Sequence, residues 1–276
     1  KRYSYERNYL SGIETVKKLV DEFDKISEES CSVGIGIPGF SSRQTGIITN
    51  ANSLWLNDKP FKKDLELALN REVRLMNDAN CFTLSEAVDG AGKDYKSIFG
   101  IIIGTGFGGG LSYNKSIIEG SNQIAGDWGH QPLPYPTKEE QETKISCPSN
   151  NCGRPLCAEQ FMSGIGFKDR FNQKHDTNFT SEEIVKLDLE NDPRANLELG
   201  LYEDRMARLM AVMIGIFDPD AIILGGGMSN IDRFYKNIPS LIPKYTFSNK
   251  VETKVLKNLH GDSSGVRGAA WLWNNG

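Results

Sequence analysis

Clusters of glycine at the ends of short apolar runs constrain the fold of this chain more than any other feature. The chain has 28 glycines among 276 residues, and they are unevenly distributed. The clusters are residues 34–39, 104–110 and 225–227. Glycine permits a positive φ angle and a close approach of the backbone to a ligand. Turns alone would scatter the glycines, so at least two of the clusters are predicted to bind a ligand.

The hydrophobic pattern alternates between helical and strand periods, which predicts an α/β fold. Helices are expected over residues 10–26, 61–69 and 197–217, and strands over 33–37, 73–76, 98–103 and 221–224. The buried stripe of the first helix would consist of Leu10, Ile13, Val16, Leu19, Val20, Phe23 and Ile26, and that of the last helix of Leu201, Leu209, Met213 and Ile216. In the polar stretch 168–196, a short helix over 181–187 is expected, with Ser181 as its N-cap.

Charge and cysteine content narrow the class of protein. The net charge is −4, and neither sign forms a long block, which disfavours a nucleic-acid partner. No apolar run approaches 18 residues and no signal peptide opens the chain, so neither a membrane span nor export is expected. Five cysteines, an odd number, do not indicate a disulfide framework. We expect a soluble, cytoplasmic protein.

The sequence Asn77-Asp78-Ala79-Asn80 follows a predicted strand, at the edge where open α/β sheets bind ligands. A carboxylate at this position can accept the proton of a substrate hydroxyl. Aspartate between a strand and a helix also serves as an N-cap. On this motif alone, Asp78 is either a catalytic base or a helix cap.

Residues 104–110, Gly-Thr-Gly-Phe-Gly-Gly-Gly, follow the apolar run 98–103. Backbone N–H groups and the Thr105 hydroxyl of such a loop can bind phosphate oxygens. The segment matches neither a Walker A motif nor a dinucleotide fingerprint. Because residues 111–118 also have a strand pattern, a glycine-rich hairpin is the alternative.

Three cysteines and a histidine have the composition of a zinc site. Cys147, Cys152 and Cys157 are separated by four residues each, and His130 precedes them. Three thiolates and one imidazole complete the tetrahedral coordination of Zn²⁺. Such an ion would order the polar excursion 134–160, whereas the alternative is three unlinked cysteines.

Two carboxylates lie close to this motif in the sequence. Asp127 is three residues before His130, and Glu159 is two residues after Cys157. If the excursion folds around zinc, the two acids come near one another. Carboxylates can accept hydrogen bonds from neighbouring hydroxyls of a polyol, so this pair is a candidate sugar contact.

In this order the motifs resemble the ROK family of sugar kinases, regulators and open reading frames, most closely its bacterial fructokinases of the manno(fructo)kinase type. The matching segments are 34–39, 50–57, 77–81, 104–110, 126–130, 152–159, 225–230 and 260–270. The resemblance implies an actin-like (ribonuclease-H-like) ATPase fold with two α/β domains and a hinge. It assigns residues 1–97 and 265–276 to a smaller N-terminal domain, and 98–264 to a larger domain that carries the excursion. It also implies a homodimer.

The resemblance also implies roles for individual residues. Asp78 would be the catalytic base, and sugar would be bound by Gly39, Asn52, Asn77, Asp78, Asp127, His130 and Glu159. ATP would be bound by Gly104, Thr105 and Gly106 at the phosphates and by Gly225, Gly226 and Gly227 near the adenosine. Structural Zn²⁺ would be held by His130, Cys147, Cys152 and Cys157. The implied cofactors are ATP, Mg²⁺ and this structural Zn²⁺.

The expected activity is the ATP-dependent phosphorylation of a hexose, with D-fructose converted to fructose 6-phosphate. The alternatives are a kinase for N-acetylglucosamine, glucose or mannose, and a sugar-responsive ROK repressor without its DNA-binding domain. The sequence departs from the family in three places. The family's opening Asp-x-Gly-Gly-Thr phosphate loop is not found, so this chain is expected to bind Mg-ATP poorly. Asp127 replaces glutamate, and Asn150 replaces the family's first cysteine, with Cys147 nearby.

Overall fold

A computed structural model describes residues 5–143, 145–147, 152–248 and 250–273. Parts of the expected domains and excursion, residues 1–4, 144, 148–151, 249 and 274–276, lie outside the described residues, and Asn150 is among them. The first part of the chain contains α1 (Tyr9–Ser27), β1 (Val33–Ile37), β2 (Phe40–Ser41), β3 (Ile48–Thr49), α2 (Phe61–Leu69), β4 (Val73–Asn77) and α3 (Asp78–Val88).

The remainder of the chain alternates hairpins, helices and parallel strands. In chain order it contains β5 (Ser97–Ile103), β6 (Phe107–Tyr113), β7 (Ser116–Ile117), α4 (Lys138–Gln141), α5 (Ala158–Met162), α6 (Gly164–His175), α7 (Ser181–Leu189), α8 (Pro193–Phe217), β8 (Ala221–Gly225), α9 (Arg233–Leu241), β9 (Lys254–Lys257) and α10 (Ser264–Trp271).

The described strands form one five-stranded sheet and two pairs. Strands β1 and β4 pair in parallel, and β2 pairs with β3 in antiparallel orientation. The larger sheet has the order β7-β6-β5-β8-β9, with an antiparallel β5–β6 hairpin and parallel β5, β8 and β9. The carboxyl ends of β1 and β4 therefore lie at one edge, as do those of β5 and β8.

Separate hydrophobic core clusters lie beside the β1–β4 pair and against the larger sheet. The core beside β1 and β4 includes Ile37, Ile48 and Leu65, whereas the core of the larger sheet includes Phe99 and Tyr202. Helix α3 packs against both β5 and β6, and α10 packs against α3 and β1. The division into two domains with a hinge stays a prediction.

The helix and strand predictions agree with the structure for the strongly periodic segments. Helix α2 has the expected bounds, and β1, β4, β5 and β8 lie within one residue of their predicted limits. Two predicted stripes are wrong in part: Leu10, Phe23 and Ile26 on α1 are exposed, and Ile216 near the end of α8 is 77% exposed. Periodicity places these residues on the expected side of each helix, but it does not by itself bury them.

The polar stretch 168–196 contains more helix than the sequence predicted. Helix α6 was missed, and α7 is capped by Thr180, not by Ser181. The Thr180 hydroxyl accepts a hydrogen bond from the Glu183 N–H, and the Glu183 carboxylate accepts one from the Thr180 N–H. This reciprocal arrangement is a capping box, which moves the start of the helix by one residue.

Candidate active site and metal centre

A cleft of about 480 Å³ opens between the ends of the two sheets. Most of the residues that the sequence singled out line it: Gly39, Asn52, Asn77, Asp78, Gly104, Thr105, Gly106, Asp127, His130, Cys152 and Glu159. Gly225, Gly226 and Gly227 are not among the lining residues. Instead Gly225 ends β8, and Gly226 and Gly227 follow it; Gly226 has a φ angle of 80° and lies against the Ile103 carbonyl at the end of β5.

Asn77, not Asp78, caps helix α3. The Asn77 side-chain oxygen accepts hydrogen bonds from the N–H groups of Ala79 at 2.9 Å and Asn80 at 3.4 Å. The Asn77 amide donates to the Gly39 carbonyl at 3.3 Å, which ties the ends of β1 and β4 together. The interpretation of Asp78 as the N-cap is therefore wrong, because Asn77 accepts the hydrogen bonds of the first N–H groups of α3.

The Asp78 carboxylate faces the cleft at the first turn of α3. Its Oδ1 accepts a hydrogen bond from the Ala79 N–H at 2.8 Å. The surrounding protein displaces much of its water, and this desolvation raises the pKa of Asp78 above its ordinary value of 3.8, while the backbone hydrogen bond opposes the rise. A more basic carboxylate accepts a hydroxyl proton more readily.

Residues 104–106 form the tight turn of the β5–β6 hairpin, as the alternative interpretation of this segment expected. The Gly104 N–H donates to the Gly106 carbonyl at 3.0 Å. The Gly104 carbonyl accepts from the Gly164 N–H at 2.8 Å, which fixes the turn to the start of α6. The Thr105 side chain is exposed and lines the cleft, as Asp78 does. A phosphate-binding role for the turn stays a prediction.

Glu159 and Asp127 lie on the side of the cleft next to His130. Glu159 is only 5% exposed, and its carboxylate accepts from the Phe107 N–H at 3.1 Å and from the Cys147 thiol at 3.5 Å. Burial raises the pKa of Asp127; electrostatic interaction with His130 opposes this rise, Glu159 adds to it and Arg154 opposes it. The two acids are therefore brought together, as expected, although Glu159 already holds the hairpin.

The predicted zinc ligands converge on one point. The ligand atoms of His130, Cys147, Cys152 and Cys157 all lie within 4.8 Å of one another. The Cys157 sulfur is 3.4 Å from each of the other two sulfurs and 3.5 Å from the His130 Nδ1. Tetrahedral Zn–S bonds of about 2.3 Å place sulfurs about 3.8 Å apart. The four donors therefore fit a zinc ion in number, type and spacing.

Backbone hydrogen bonds help to position His130 and Cys157, two of the four candidate metal ligands. The Glu159 N–H donates to the Gly129 carbonyl, the Ala158 N–H to the Gln131 carbonyl, and the Leu133 N–H to the Leu156 carbonyl, each at 2.8 Å. These bonds form a short antiparallel ladder that brings His130 beside Cys157. Sequence spacing predicted the ligand set, but not this ladder.

The cleft also contains residues that sequence reasoning missed. They include Asn50, Gln131 and Arg154, and the apolar residues Phe40 and Ile124. Asn50 has a φ angle of 55°, a left-handed conformation that asparagine tolerates. Sequence reasoning gave none of these residues an individual role: Phe40 lies in the two-residue strand β2, and the other four lie in irregular loops.

The chain belongs to the ROK family, whose model matches residues 3–275. It is 36% identical over 265 residues to the N-acetyl-D-glucosamine kinase of Vibrio cholerae. That alignment covers 96% of this chain and 88% of the relative. The ROK hexokinase of Thermus thermophilus superposes with a TM-score of 0.82 at 22% identity, over 97% of this chain and 86% of the other. A Streptomyces griseus ROK glucokinase, solved with glucose and AMPPNP, superposes with a TM-score of 0.80 at 21% identity. The superposition covers 99% of this chain and 91% of the glucokinase.

These comparisons establish the actin-like ATPase fold of the family. The curated relative is named for N-acetyl-D-glucosamine, which favours the alternative acceptor over the fructose expected from sequence. None of the described helices is long and apolar enough to cross a membrane. The homodimer stays a prediction.

Proposed function

We propose that this chain is an ATP-dependent sugar kinase that phosphorylates a hexose hydroxyl, with N-acetyl-D-glucosamine as the preferred acceptor. The observation that carries this proposal is the position of Asp78. Its carboxylate faces the same cleft as the glycine turn 104–106 and as the polar residues expected to bind sugar. The name of the Vibrio cholerae relative supports N-acetyl-D-glucosamine over fructose.

In the proposed reaction, Asp78 accepts the proton of the acceptor hydroxyl while the hydroxyl oxygen attacks the γ-phosphorus of ATP, and the bond from that phosphorus to the β,γ-bridging oxygen breaks to release ADP. General-base catalysis of this kind is worth about 10²–10⁴-fold. Asn77 would hold the base in place, because it caps the helix on which Asp78 lies. Asp127, His130 and Glu159 would orient the sugar.

The turn 104–106 is the proposed site of the triphosphate. A Cβ atom on Gly104 would meet nothing within 4 Å, so the backbone there is open to a ligand. Mg²⁺ would neutralise the charge that develops on the transferred phosphoryl group. Gly225, Gly226 and Gly227 are proposed to lie near the adenosine, since they follow the strand next to β5.

We further propose that His130, Cys147, Cys152 and Cys157 hold a structural zinc ion. Zinc supplies cross-linking of the excursion and takes no part in phosphoryl transfer. Because the His130 Nδ1 faces Cys157, the Nε2 of the same ring is left to contact sugar. The metal, bound at Nδ1, would thus fix the orientation of the His130 ring, whose Nε2 is proposed to contact sugar.

The experiment is a coupled ADP-release assay with N-acetyl-D-glucosamine, glucose, mannose and fructose as acceptors, with the product identified by NMR. Asp78→Asn should lower kcat at least 10²-fold and leave the sugar Kd within about tenfold. Because the pKa of Asp78 is raised, wild-type activity should fall on acidification with an apparent pKa above 3.8, and the variant should lack this acid limb.

Asp89→Asn is the matched control, since Asp89 ends the same helix and pairs with His260 and Arg267 outside the cleft. It should retain wild-type kcat within about threefold. Near-normal turnover of Asp78→Asn would remove Asp78 from the role of base. Sugar binding without ADP release, in this chain preceded by an Asp-x-Gly-Gly-Thr phosphate loop, would instead favour the sugar-responsive repressor.

A further inference from the structure

Carboxylates outnumber cationic side chains in the lining of the cleft. Among the residues that the structure describes, Arg154 is the one lysine or arginine that lines the cleft, against the three carboxylates of Asp78, Asp127 and Glu159. Carboxylates accept hydrogen bonds from hydroxyl groups. They cannot bind a group that only accepts, such as a carbonyl oxygen. A guanidinium is purely a donor, with five N–H groups in a fixed plane.

A turn of limited freedom presents Arg154 to the cleft. Gly153 and Leu156, on either side of the Arg154-Pro155 pair, have φ angles of 56° and 55°. Leucine rarely adopts this left-handed conformation, so the surrounding structure must enforce it. The Leu156 carbonyl accepts the Leu133 N–H of the antiparallel ladder at 2.8 Å. Arg154 therefore projects from a constrained turn.

The guanidinium is anchored beside the expected sugar contacts. Its Nη1 donates to the His130 carbonyl at 3.2 Å, and its positive charge acts on the neighbouring Asp127 carboxylate. This anchor occupies one of the five N–H groups. The side chain is otherwise exposed, so its other donors are open to a ligand in the cleft.

We propose that Arg154 is a specificity-determining residue that donates a hydrogen bond to the carbonyl oxygen of the 2-acetamido group of the acceptor hexose. This inference rests on the proposed function, because it requires the acceptor to bind in this cleft. N-acetyl-D-glucosamine and glucose differ only at C2, where an acetamido group replaces a hydroxyl. A donor aimed at the acetamido carbonyl discriminates between them, since glucose leaves that donor without its partner.

The test is calorimetric binding of N-acetyl-D-glucosamine and of glucose to the zinc-loaded protein without ATP. Arg154→Met should raise the Kd for N-acetyl-D-glucosamine at least tenfold and change the Kd for glucose less than threefold. Arg154→Lys keeps the charge without the planar fork, and should raise the first Kd at least threefold. Arg43→Met is the control, because Arg43 is an exposed arginine that pairs with Glu119 outside the cleft lining, and both Kd values should stay within twofold.

Zinc content is measured for every variant, so that loss of the ion is not mistaken for loss of a contact. If Arg154→Met loses zinc, the proposal is judged from the Kd values of Arg154→Lys, measured on protein that contains one zinc per chain. Equal weakening of both sugars, unchanged affinities, or a wild type that binds glucose as tightly as N-acetyl-D-glucosamine would overturn the proposal while leaving a hexose kinase intact. A wild type that binds and phosphorylates no hexose would overturn the proposed function, and this inference with it.

Discussion

Replacing Glu140 with glutamine should strongly destabilise the fold, because Glu140 is the shared partner of two buried arginines. Glu140 is 2% exposed, and Arg205 and Arg208 are 4% and 2% exposed. The Arg205 Nε donates to Glu140 Oε1 at 2.6 Å, and the Arg208 Nη2 and Nη1 donate to its two oxygens at 2.8 and 3.0 Å. Arg208 also donates to the carbonyls of Pro134 and Tyr135.

The magnitude follows from this geometry in two ways. Removing one partner of a buried ion pair costs about 3–5 kcal/mol, because the remaining charge is left uncompensated. Despite burial, which acts in the opposite direction, hydrogen bonds from Arg208, Thr137 and Arg205 lower the pKa of Glu140 from 4.5 to about 2. That shift corresponds to about 3 kcal/mol at neutral pH.

The assay is urea unfolding of Glu140→Gln beside Glu139→Gln. Glu139 is adjacent but largely exposed, and its 3.4 Å ion pair with Lys174 is a surface contact, so that variant should lose less than about 1 kcal/mol. The pKa of Glu140 is lower in the folded state, so the ionised carboxylate contributes fully to the free energy of unfolding above pH 4.5. That contribution is lost as the pH falls toward 2. The gap between wild type and Glu140→Gln should therefore close over that window. A gap below about 1 kcal/mol at pH 7, or one that does not depend on pH, would refute the reasoning.

Two further predictions concern the metal and the packing of α10. Protein prepared without chelator should contain one zinc per chain by elemental analysis. Cys152→Ser should lose the zinc, whereas Cys31→Ser should keep it, because Cys31 lies outside the candidate ligand set. A wild-type zinc content well below one per chain would contradict that ligand set. Gly268→Ala should lower the free energy of unfolding by more than about 2 kcal/mol, because the new Cβ would overlap the Cys81 carbonyl oxygen. Gly265→Ala on the same helix is the control. Its Cβ would meet nothing within 4 Å, so this variant should be neutral or stabilised by up to about 1 kcal/mol. Equal stability of these two alanine variants in urea would show that α10 and α3 separate easily.

The sequence by itself determined the elements whose burial is periodic. Helix α2 and strand β5 could be located because their side chains alternate between core and solvent, or are buried throughout, over many consecutive residues. Cysteine spacing also selected the candidate metal ligands, and the structure brings the three thiols and the imidazole of that set together.

Local pattern also left two interpretations of some residues, and the structure bears on each. The N-cap of α3 is Asn77, so Asp78 is not needed as the cap, and its catalytic role stays a prediction. The turn 104–106 has the composition of both a hairpin and a phosphate loop; its hydrogen bonds form the hairpin, and phosphate binding stays a prediction. Residue type alone could not show that Asn77, not Asp78, occupies the cap.

Only the tertiary structure decided which side chains share the cleft. Arg154 and Asn50 lie in loops more than one hundred residues apart, and no periodicity relates them. Likewise, Ile216 is exposed, although its position in the helix resembles that of a core residue. Periodicity encodes the direction in which a side chain points from its own backbone. What it then meets depends on where distant segments pack, and that information is not local.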